Sequence, residues 1–498
     1  MTRSAWTALA MLGGVLDFIA GCAASRVTLP DPPRPATTSE LERWIKPPAP
    51  APDIPRPLLF SVQSVALENG LQVTVVTRPG TSSTAIALHV PSMHDPSAGP
   101  VTFMGDALRA GTMANGGEVL VNPKVSGARI EVATGRTGTT LSWEVLSRGS
   151  ARGIQVLGAF ALAPAFNPPD VNALLHQEAA DIQRYSASNQ RMFDLVHAVI
   201  PGLERPTPQA DGRNLLAMSP EVLRQIHACT MRPEGAELVV VGPVTADEVG
   251  PWVKAAFGGW RAGARADSPA CTKWLAPPGP LHPEQARLSR AQLQVVVGNF
   301  DPFVIASVPG PAPESDDYLP FRLLTRIIHK RSSSATQALR DVGATYGIHP
   351  SSDESYAHLS VFDWSGQLEP DRVPDALQAM TADIHGIADS LDAAEVASAA
   401  RRWRMEIIES LSSNTKAAGL TLWQRRRGRD VRALPSLPDE IARIDRDRCR
   451  SVAQHYLSET QPSLGVMGLP ERLLHGLQMD VNVQYLMWTS YALPGESF

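Results

Sequence analysis

The feature that most constrains the fold of this 498-residue chain is a pattern that occurs twice, about 225 residues apart. Residues 232–242 predict a turn followed by a buried strand, and residues 245–257 then show the apolar periodicity of a helix. A shorter copy closes the chain, with a strand in 461–468 and a helix in 471–478. An internal repeat of this length predicts two similar halves, each of ordinary domain size.

We expect each half to be an α+β unit, an antiparallel-rich sheet with helices packed over one face. The first half opens with two apolar runs within residues 62–78, and the Asn69-Gly70 pair between them is typical of a hairpin turn. Proline-rich residues 262–283 indicate a linker, after which residues 292–297 begin the second half as a strand. The predicted organisation is a first half at 58–261, a linker at 262–288 and a second half at 289–498.

The N-terminus has the pattern of an export signal in residues 1–21, where Arg3 precedes an apolar stretch too short to span a bilayer. The stretch ends in an Ile-Ala-Gly-Cys sequence that resembles a bacterial lipobox, in which Cys22 would carry the lipid. Residues 22–57 are rich in proline and predict an extended tether. Because Ala23 rather than aspartate follows the cysteine, we expect a lipid-anchored, periplasm-facing protein of the bacterial cell envelope, in the outer membrane. A plain secretory signal with an incidental cysteine is the alternative.

Charge and cysteine content argue against three classes of protein. The formal net charge of −5 gives no electrostatic reason to expect nucleic-acid binding. The four cysteines form no cluster with metal-ligand spacing, so neither a structural zinc site nor a disulfide-rich scaffold is indicated. If Cys22 carries a lipid, at most one disulfide can form among Cys229, Cys271 and Cys449, and the sequence leaves the pair open.

Two stretches of the first half resemble the pitrilysin/insulinase family of zinc peptidases. Residues 67–73, Leu-Glu-Asn-Gly-Leu-Gln-Val, match the family's opening LxNGLxV. Residues 232–242, followed by the Gly-Gly-Trp of residues 258–260, match the strand and the FGxW sequence that close a half. The resemblance spans nearly all of residues 60–498. It implies two homologous halves, as in bacterial two-half subunits of this family and in mitochondrial processing peptidase subunits.

The zinc motif of that family is the point at which this chain departs from it. In the family the first half carries HxxEH on a helix, where two histidines bind zinc and the glutamate polarises the attacking water. Residues 99–112 resemble the frame around that motif, GxAHxxEHMxFxGT. The resemblance places Thr102 and Asp106 at the histidine positions and Gly105 at the glutamate position.

The family's third ligand is a glutamate on a later helix, which corresponds here to Asp181, with Glu178 as a rival. Thr102, Asp106 and Asp181 offer a hydroxyl and two carboxylates, a set better suited to hard cations than to zinc. Loss of the general base alone lowers a rate by about 10²–10⁴. The twelve histidines offer no second cluster at ligand spacing, so we expect them on the surface or hydrogen-bonded in the core. We therefore expect no catalytic residue, metal or cofactor in this chain, and zinc in a partner subunit.

Residues 339–348 resemble a second family motif, LRExxGLAYxV, with which a non-catalytic subunit serves the active site of its zinc-bearing partner. The resemblance assigns Arg340 and Tyr346 to substrate binding. A guanidinium can donate hydrogen bonds to peptide carbonyls, and a phenol can donate to the oxyanion of the tetrahedral intermediate. In the alternative interpretation Arg340 caps the C-terminus of a helix and Tyr346 is an ordinary strand aromatic.

Two basic runs, residues 401–404 and 423–429, could meet acidic substrate or phospholipid head groups. The favoured alternative is that both runs are solvated helix faces whose tryptophans pack inward.

The sequence thus predicts a membrane-tethered pseudopeptidase subunit that pairs with a zinc-bearing homologue and encloses peptides or unfolded proteins for that partner to cut. The second hypothesis is a purely structural envelope lipoprotein, for which substitutions at Arg340 or Tyr346 have no effect. The third is a metallopeptidase with an unusual ligand set, for which the purified chain would contain stoichiometric metal.

Overall fold

A computed structural model describes most of the chain after residue 59. The described residues are 60–92, 100–110, 130–135, 137–186, 196–197, 218–261, 263, 268–271, 293–297, 302–341, 345–353, 360–369, 373–468 and 483–487. The signal sequence, Cys22, the tether and the helix expected at 471–478 therefore lie outside the described residues. No helix in these ranges is both long enough and apolar enough to cross a membrane.

The described strands form two six-stranded sheets in which five of the six strands have the same order. The first sheet runs β1-β2-β6-β3-β5-β4 and the second runs β12-β7-β11-β8-β10-β9. The strands of the first sheet are β1 (Ser61–Ala66), β2 (Gln72–Thr77), β3 (Ser83–Pro91), β4 (Glu131–Gly135), β5 (Gly138–Leu146) and β6 (Glu237–Gly242). Those of the second are β7 (Leu293–Val297), β8 (Phe303–Pro309), β9 (Thr345–Asp353), β10 (Val361–Leu368), β11 (Ser463–Gly468) and β12 (Val483–Met487).

The two sheets match in pairing as well as in order. Each sheet contains a corresponding parallel pair, β2 with β6 in the first and β7 with β11 in the second. From β6 to β4 in the first sheet, and from β11 to β9 in the second, neighbouring strands are antiparallel. They differ at one edge, because β1 is the antiparallel partner of β2 whereas β12 runs parallel to β7. This duplication confirms the predicted α+β class and the predicted pair of similar halves.

Helices cover one face of each sheet. Those of the first half are α1 (Pro100–Ala110), α2 (Ser150–Leu162), α3 (Pro168–Ser186), α4 (Pro220–Thr230) and α5 (Ala246–Phe257), with a 3-10 turn at Ser147–Gly149. Those of the second half are α6 (Tyr318–Asp341), α7 (Val373–Ser390), α8 (Ala393–Ser412), α9 (Asn414–Arg426), α10 (Leu437–Ala442) and α11 (Arg446–Ala453), with a 3-10 turn at Val431–Ser436 and a π turn at Gln454–Ser458. Fully buried Leu88, Ile154 and Phe257 join sheet and helices in the first core, each worth about 1.5–3 kcal/mol.

Local signals in the sequence set the ends of these elements. Gly70 adopts a φ of +94° in the β1–β2 turn, a left-handed conformation that favours glycine, and its amide donates to the carbonyl of Leu67 at 3.0 Å. Helix α5 begins with a capping box, in which the Thr245 hydroxyl accepts from the Glu248 amide and the Glu248 carboxylate accepts from the Thr245 amide. The predicted hairpin and the predicted strand–helix close are both present.

Helix α9 of the second half covers the other face of the first sheet, where it contacts β3 and β6. Small buried side chains on β3, Ala85 and Ala87, leave room for the helix. The Arg425 Nε donates to Glu237 Oε2 at 2.7 Å, and the Asn414 side-chain amide donates to the Ser83 carbonyl at 2.7 Å. Burial raises the pKa of Glu237, while Thr74 and Arg425 act in the opposite direction.

A reciprocal contact joins the first half to the second sheet. His197 Nε2 lies 2.7 Å from Asp363 Oδ1 on β10, and the Ser307 hydroxyl donates to the same carboxylate oxygen at 2.5 Å. All three side chains are buried. Each half therefore places a basic or imidazole side chain on a buried carboxylate of the other, so the two halves are interlocked.

This arrangement corrects the interpretation of the basic run at 423–429. Two of its arginines, Arg425 and Arg427, do not lie on a solvated helix face. Arg427 is only 7% exposed and its guanidinium lies 4.3 Å from the centre of the Trp423 ring and 4.8 Å from that of Tyr318. Arg425 pairs with Glu237, and Arg426 hydrogen-bonds the Thr137 hydroxyl. The packing of Trp423 against Tyr318 and the exposure of Arg426 agree with the favoured alternative.

A disulfide joins Cys229 of α4 to Cys271 in the first part of the expected linker, with Cα atoms 5.5 Å apart. The pair left open by the sequence is thereby assigned. Cys449 is a buried free thiol whose pKa burial raises to about 12, so it is unreactive at neutral pH.

Replacing Arg425 with alanine is expected to lower the free energy of unfolding by about 1.5–3 kcal/mol at neutral pH, because it leaves the Glu237 carboxylate buried without its charged donor. The loss should shrink as the pH falls. The pKa of Glu237 is already raised, and it would rise further in the variant. As the pH falls, Glu237 of the folded variant is therefore protonated before that of the parent, and the cost of burying an unpaired carboxylate disappears. Urea unfolding at several pH values measures both effects.

Arg432→Ala is the matched control, because Arg432 forms an exposed ion pair with Asp430 and exposed ion pairs contribute little to stability. Equal losses in the two variants would contradict a structural role for the contact between Arg425 and Glu237.

Candidate functional site

The residues at the degenerate zinc motif lie on α1, which packs against β4 and contacts α3. Thr102 and Asp106 are one helical turn apart and both partly exposed, as the predicted ligand spacing requires. Asp106 Oδ1 lies 2.7 Å from the Arg109 guanidinium, whose Nε also donates to the Val132 carbonyl of β4 at 3.2 Å. The carboxylate at the second histidine position is thus neutralised and tied to the sheet.

Gly105, at the position of the family's glutamate, is buried against Thr134 of β4. A Cβ atom added to Gly105 would lie 1.9 Å from Thr134 Oγ1 and 2.7 Å from Thr134 Cβ. Real Cβ atoms do not approach other heavy atoms this closely, so a larger residue requires β4 or α1 to move. The space that a general base would need is occupied by protein atoms.

The expected third ligand lies on the expected helix. Asp181 and its rival Glu178 are on α3, which contacts α1, but the positions of their side chains lie outside the described part of the structure. Among the residues that are described, no group of three or more histidine, cysteine, aspartate or glutamate side chains could hold a metal ion.

The predicted substrate-binding pair lies at a helix end and a strand start, as the motif requires. Arg340 is the penultimate residue of α6, and Tyr346 is the second residue of β9. Helix α6 packs against β9. The two side chains lie outside the described positions, so their roles stay predictions.

Two histidines, the buried His89 and the partly buried His227, have structural roles. His89 Nδ1 lies 2.9 Å from the Thr140 hydroxyl, and its pKa is lowered to about 4 by burial and by the charge of Arg426. His227 Nε2 lies 2.8 Å from the Ala161 carbonyl oxygen, and burial lowers its pKa to about 4. Both are therefore neutral at physiological pH, as expected of hydrogen-bonded core histidines.

Sequence reasoning missed a cavity of about 520 Å³ between α6 and α8 in the second half. Its lining includes Arg402, which belongs to the basic run at 401–404. That run was the available signal, but the other cationic residues of the lining are dispersed along α6 and do not form a motif.

Comparison with known proteins places this fold. Residues 217–402 match the family model of the peptidase M16 inactive domain. A protease from Helicobacter pylori is 17% identical with a TM-score of 0.66, over 82% of this chain and 100% of that one. The peptidase M16 inactive domain from Pseudomonas fluorescens is 14% identical with a TM-score of 0.65, over 82% of this chain and 98% of that one.

The periplasmic protease PqqL from Escherichia coli is 12% identical with a TM-score of 0.59, over 84% of this chain and 49% of that one. No curated protein matches the sequence significantly. The family match in 217–402 and the pitrilysin-type fold of the described residues confirm the predicted resemblance. Residues 217–402 thus resemble the M16 inactive domain, the described residues have the fold of M16-like peptidases, and the sequence has no HxxEH motif.

Replacing Gly105 with alanine is expected to destabilise the protein by a net value of about 1–2 kcal/mol, because the new methyl group overpacks against Thr134. Gly386 offers a matched control, since it also lies within a helix but has nothing within 4 Å of an added Cβ. Gly386→Ala should be neutral or stabilise by up to about 1 kcal/mol. Urea unfolding followed by circular dichroism compares the two.

Removal of the Thr134 side chain provides the test of cause. The stability lost through Gly105→Ala should be smaller in a Thr134→Gly background than in the parent protein. Equal stabilities of the Gly105→Ala and Gly386→Ala proteins would rule out the tight contact.

Proposed function

We propose that this chain is the non-catalytic subunit of a zinc-peptidase heterodimer in the bacterial cell envelope. It binds a peptide or unfolded protein and supplies Arg340 and Tyr346 to the active site of a zinc-bearing homologous partner. The observation that carries the proposal is the closed position of Gly105, where a catalytic glutamate has no room beside Thr134.

The retained pair gives this inactive fold a chemical task. In the proposed complex the Arg340 guanidinium donates hydrogen bonds to substrate carbonyl oxygens and holds the peptide in place. The Tyr346 phenol donates to the oxyanion that forms when the partner's activated water attacks the peptide bond. The helix end and strand start at which these residues lie are compatible with both tasks.

Three observations support a location in the cell envelope. Residues 1–22 have the pattern of a lipoprotein signal that ends in Cys22. The disulfide between Cys229 and Cys271 is typical of an oxidising compartment. PqqL, which has a similar fold, is described as periplasmic.

Co-expression with a zinc-bearing homologue should yield a complex that cleaves peptides. Arg340→Ala and Tyr346→Phe should each lower kcat/KM of the complex by about 10–1,000-fold while leaving its assembly intact, because each removes a hydrogen bond made to the substrate or transition state. Turnover of a fluorogenic peptide measures the rate, and size-exclusion chromatography measures assembly.

Arg432→Ala and Tyr456→Phe serve as controls, because they remove the same chemical groups at positions engaged with Asp430 and Asp317 of this chain. Normal turnover in both Arg340 and Tyr346 variants would favour the purely structural hypothesis. Stoichiometric metal and chelator-sensitive cleavage in this chain alone would favour the metallopeptidase.

Replacing Cys22 with serine should release the protein from the membrane fraction into the periplasm and abolish incorporation of labelled palmitate. Cys449→Ser removes a thiol that is buried in the core and should leave both properties unchanged. Persistence of the label in the Cys22→Ser protein would exclude this site of lipidation.

A further inference from the structure

The cavity of the second half lies between α6 and α8 and reaches β9 and β10. Its volume of about 520 Å³ is within the range of sites that bind small ligands or short peptide segments. Trp403, Phe362 and Ile327 are buried and form its apolar floor. Lys330 and Arg402 are exposed and lie at its mouth.

The cavity occupies a position related to the zinc motif by the internal repeat. The chain order β3, α1, β4, β5, α2, α3 in the first half recurs as β8, α6, β9, β10, α7, α8 in the second. Because the strand orders of the two sheets also agree, α6 and α8 correspond to α1 and α3. The second half therefore contains a cavity between the helices that correspond to those carrying Gly105 and Asp181.

The described residues that line the cavity include more cationic than anionic side chains, and two of the cations, Arg322 and Lys330, also have other interactions. Four cationic side chains face two carboxylates: Arg322, Arg326, Lys330 and Arg402 against Glu395 and Glu406. Both carboxylates are engaged by arginines. Glu406 lies 2.5 Å from Arg326, and Glu395 accepts from Arg331 Nε at 3.0 Å.

Arg402 is the cation best placed to meet a ligand. It is exposed on α8 and has no hydrogen bond or ion pair to any residue that the structure describes. Deeper in the cavity, the Arg326 guanidinium lies 5.1 Å from the centre of the Trp403 ring, which holds it in a fixed orientation over the apolar floor. Cations at the mouth and an apolar floor below suit a ligand with both negative charge and hydrocarbon.

We propose that this cavity binds an acidic segment of a peptide, with side-chain or C-terminal carboxylates on the arginines and apolar groups against Trp403. Guanidinium groups match carboxylates in geometry and in charge, and the repulsion between neighbouring cations favours an anionic occupant. The choice of a peptide rests on the proposed function. The preference for acidic sequence rests on the lining alone.

Fluorescence anisotropy with the full-length chain, without a partner subunit, tests the proposal. The probes are a labelled ten-residue peptide that contains several glutamates and a leucine, and the same peptide with glutamine in place of each glutamate. The acidic peptide should bind at least about tenfold more tightly, and its affinity should fall as salt is added. Arg402→Ala should weaken its binding by about three- to tenfold.

Arg401→Ala is the matched control, since Arg401 is the exposed neighbour on the same helix but does not line the cavity. It removes the same charge and should leave the affinity within about twofold. Similar affinities for the two peptides, or equal effects of the two substitutions, would overturn the proposal. The proposal would also be overturned if inorganic phosphate displaced the labelled peptide at the same concentration as unlabelled acidic peptide does. That result would indicate a site for small anions.

Failure of the proposed function gives a different result. The chain could bind acidic peptide through Arg402 without assembling with a zinc-bearing partner or affecting its turnover. In that case the proposed site holds and the proposed heterodimer does not. If turnover by the heterodimer depends on Arg340 and Tyr346 but peptide binding is unaffected by Arg402→Ala, the proposed function holds and the proposed acidic-peptide site does not.

Discussion

Each half of this protein depends on a parallel pair of strands that lie far apart in the sequence. Gln72 of β2 pairs with Glu237 of β6, and Leu293 of β7 pairs with Leu464 of β11. A parallel pair requires a crossover between its strands, and here most of each half forms that crossover. The positions of the other strands and of the covering helices follow from this closure. Its entropic cost must be offset by extensive burial, and the residues of β6 are all buried.

Burial of β6 on both faces has a consequence for the way the halves associate. Glu237 belongs to this strand, so a carboxylate is carried into the interior, where Thr74 and Arg425 satisfy it. Since Arg425 comes from the second half, separation of the halves would leave a desolvated charge without its donor. The contact of His197 with Asp363 imposes the same condition on the second sheet. The halves therefore behave as one compact unit rather than as two domains on a hinge.

Features encoded by neighbouring residues could be predicted from the sequence. The hairpin at Gly70, the capped helix after β6 and the repeat all arise from local patterns of turn residues and apolar side chains. The packing of α9 on the sheet of the first half could not be predicted. In the sequence, arginines that pair with a buried carboxylate look the same as arginines exposed to water. The contact of Gly105 with Thr134 was also hidden, since only the fold brings α1 onto β4. The pairing of Cys229 with Cys271 required coordinates, because three pairs were compatible with the sequence.

The sequence predicted that the zinc ligands and the general base are missing, but not what occupies their place. Alignment of residues to the HxxEH frame shows which groups are missing, whereas the structure shows that packing fills the position of the base. A vacant site could regain a metal through substitutions at the ligand positions alone. Here the contact of Gly105 with Thr134 and the ion pair of Asp106 with Arg109 oppose that route, because each must be broken before a glutamate or imidazole fits. The corresponding place in the second half is a cavity lined by charged side chains, so packing closes in one half a position at which the same fold is open in the other.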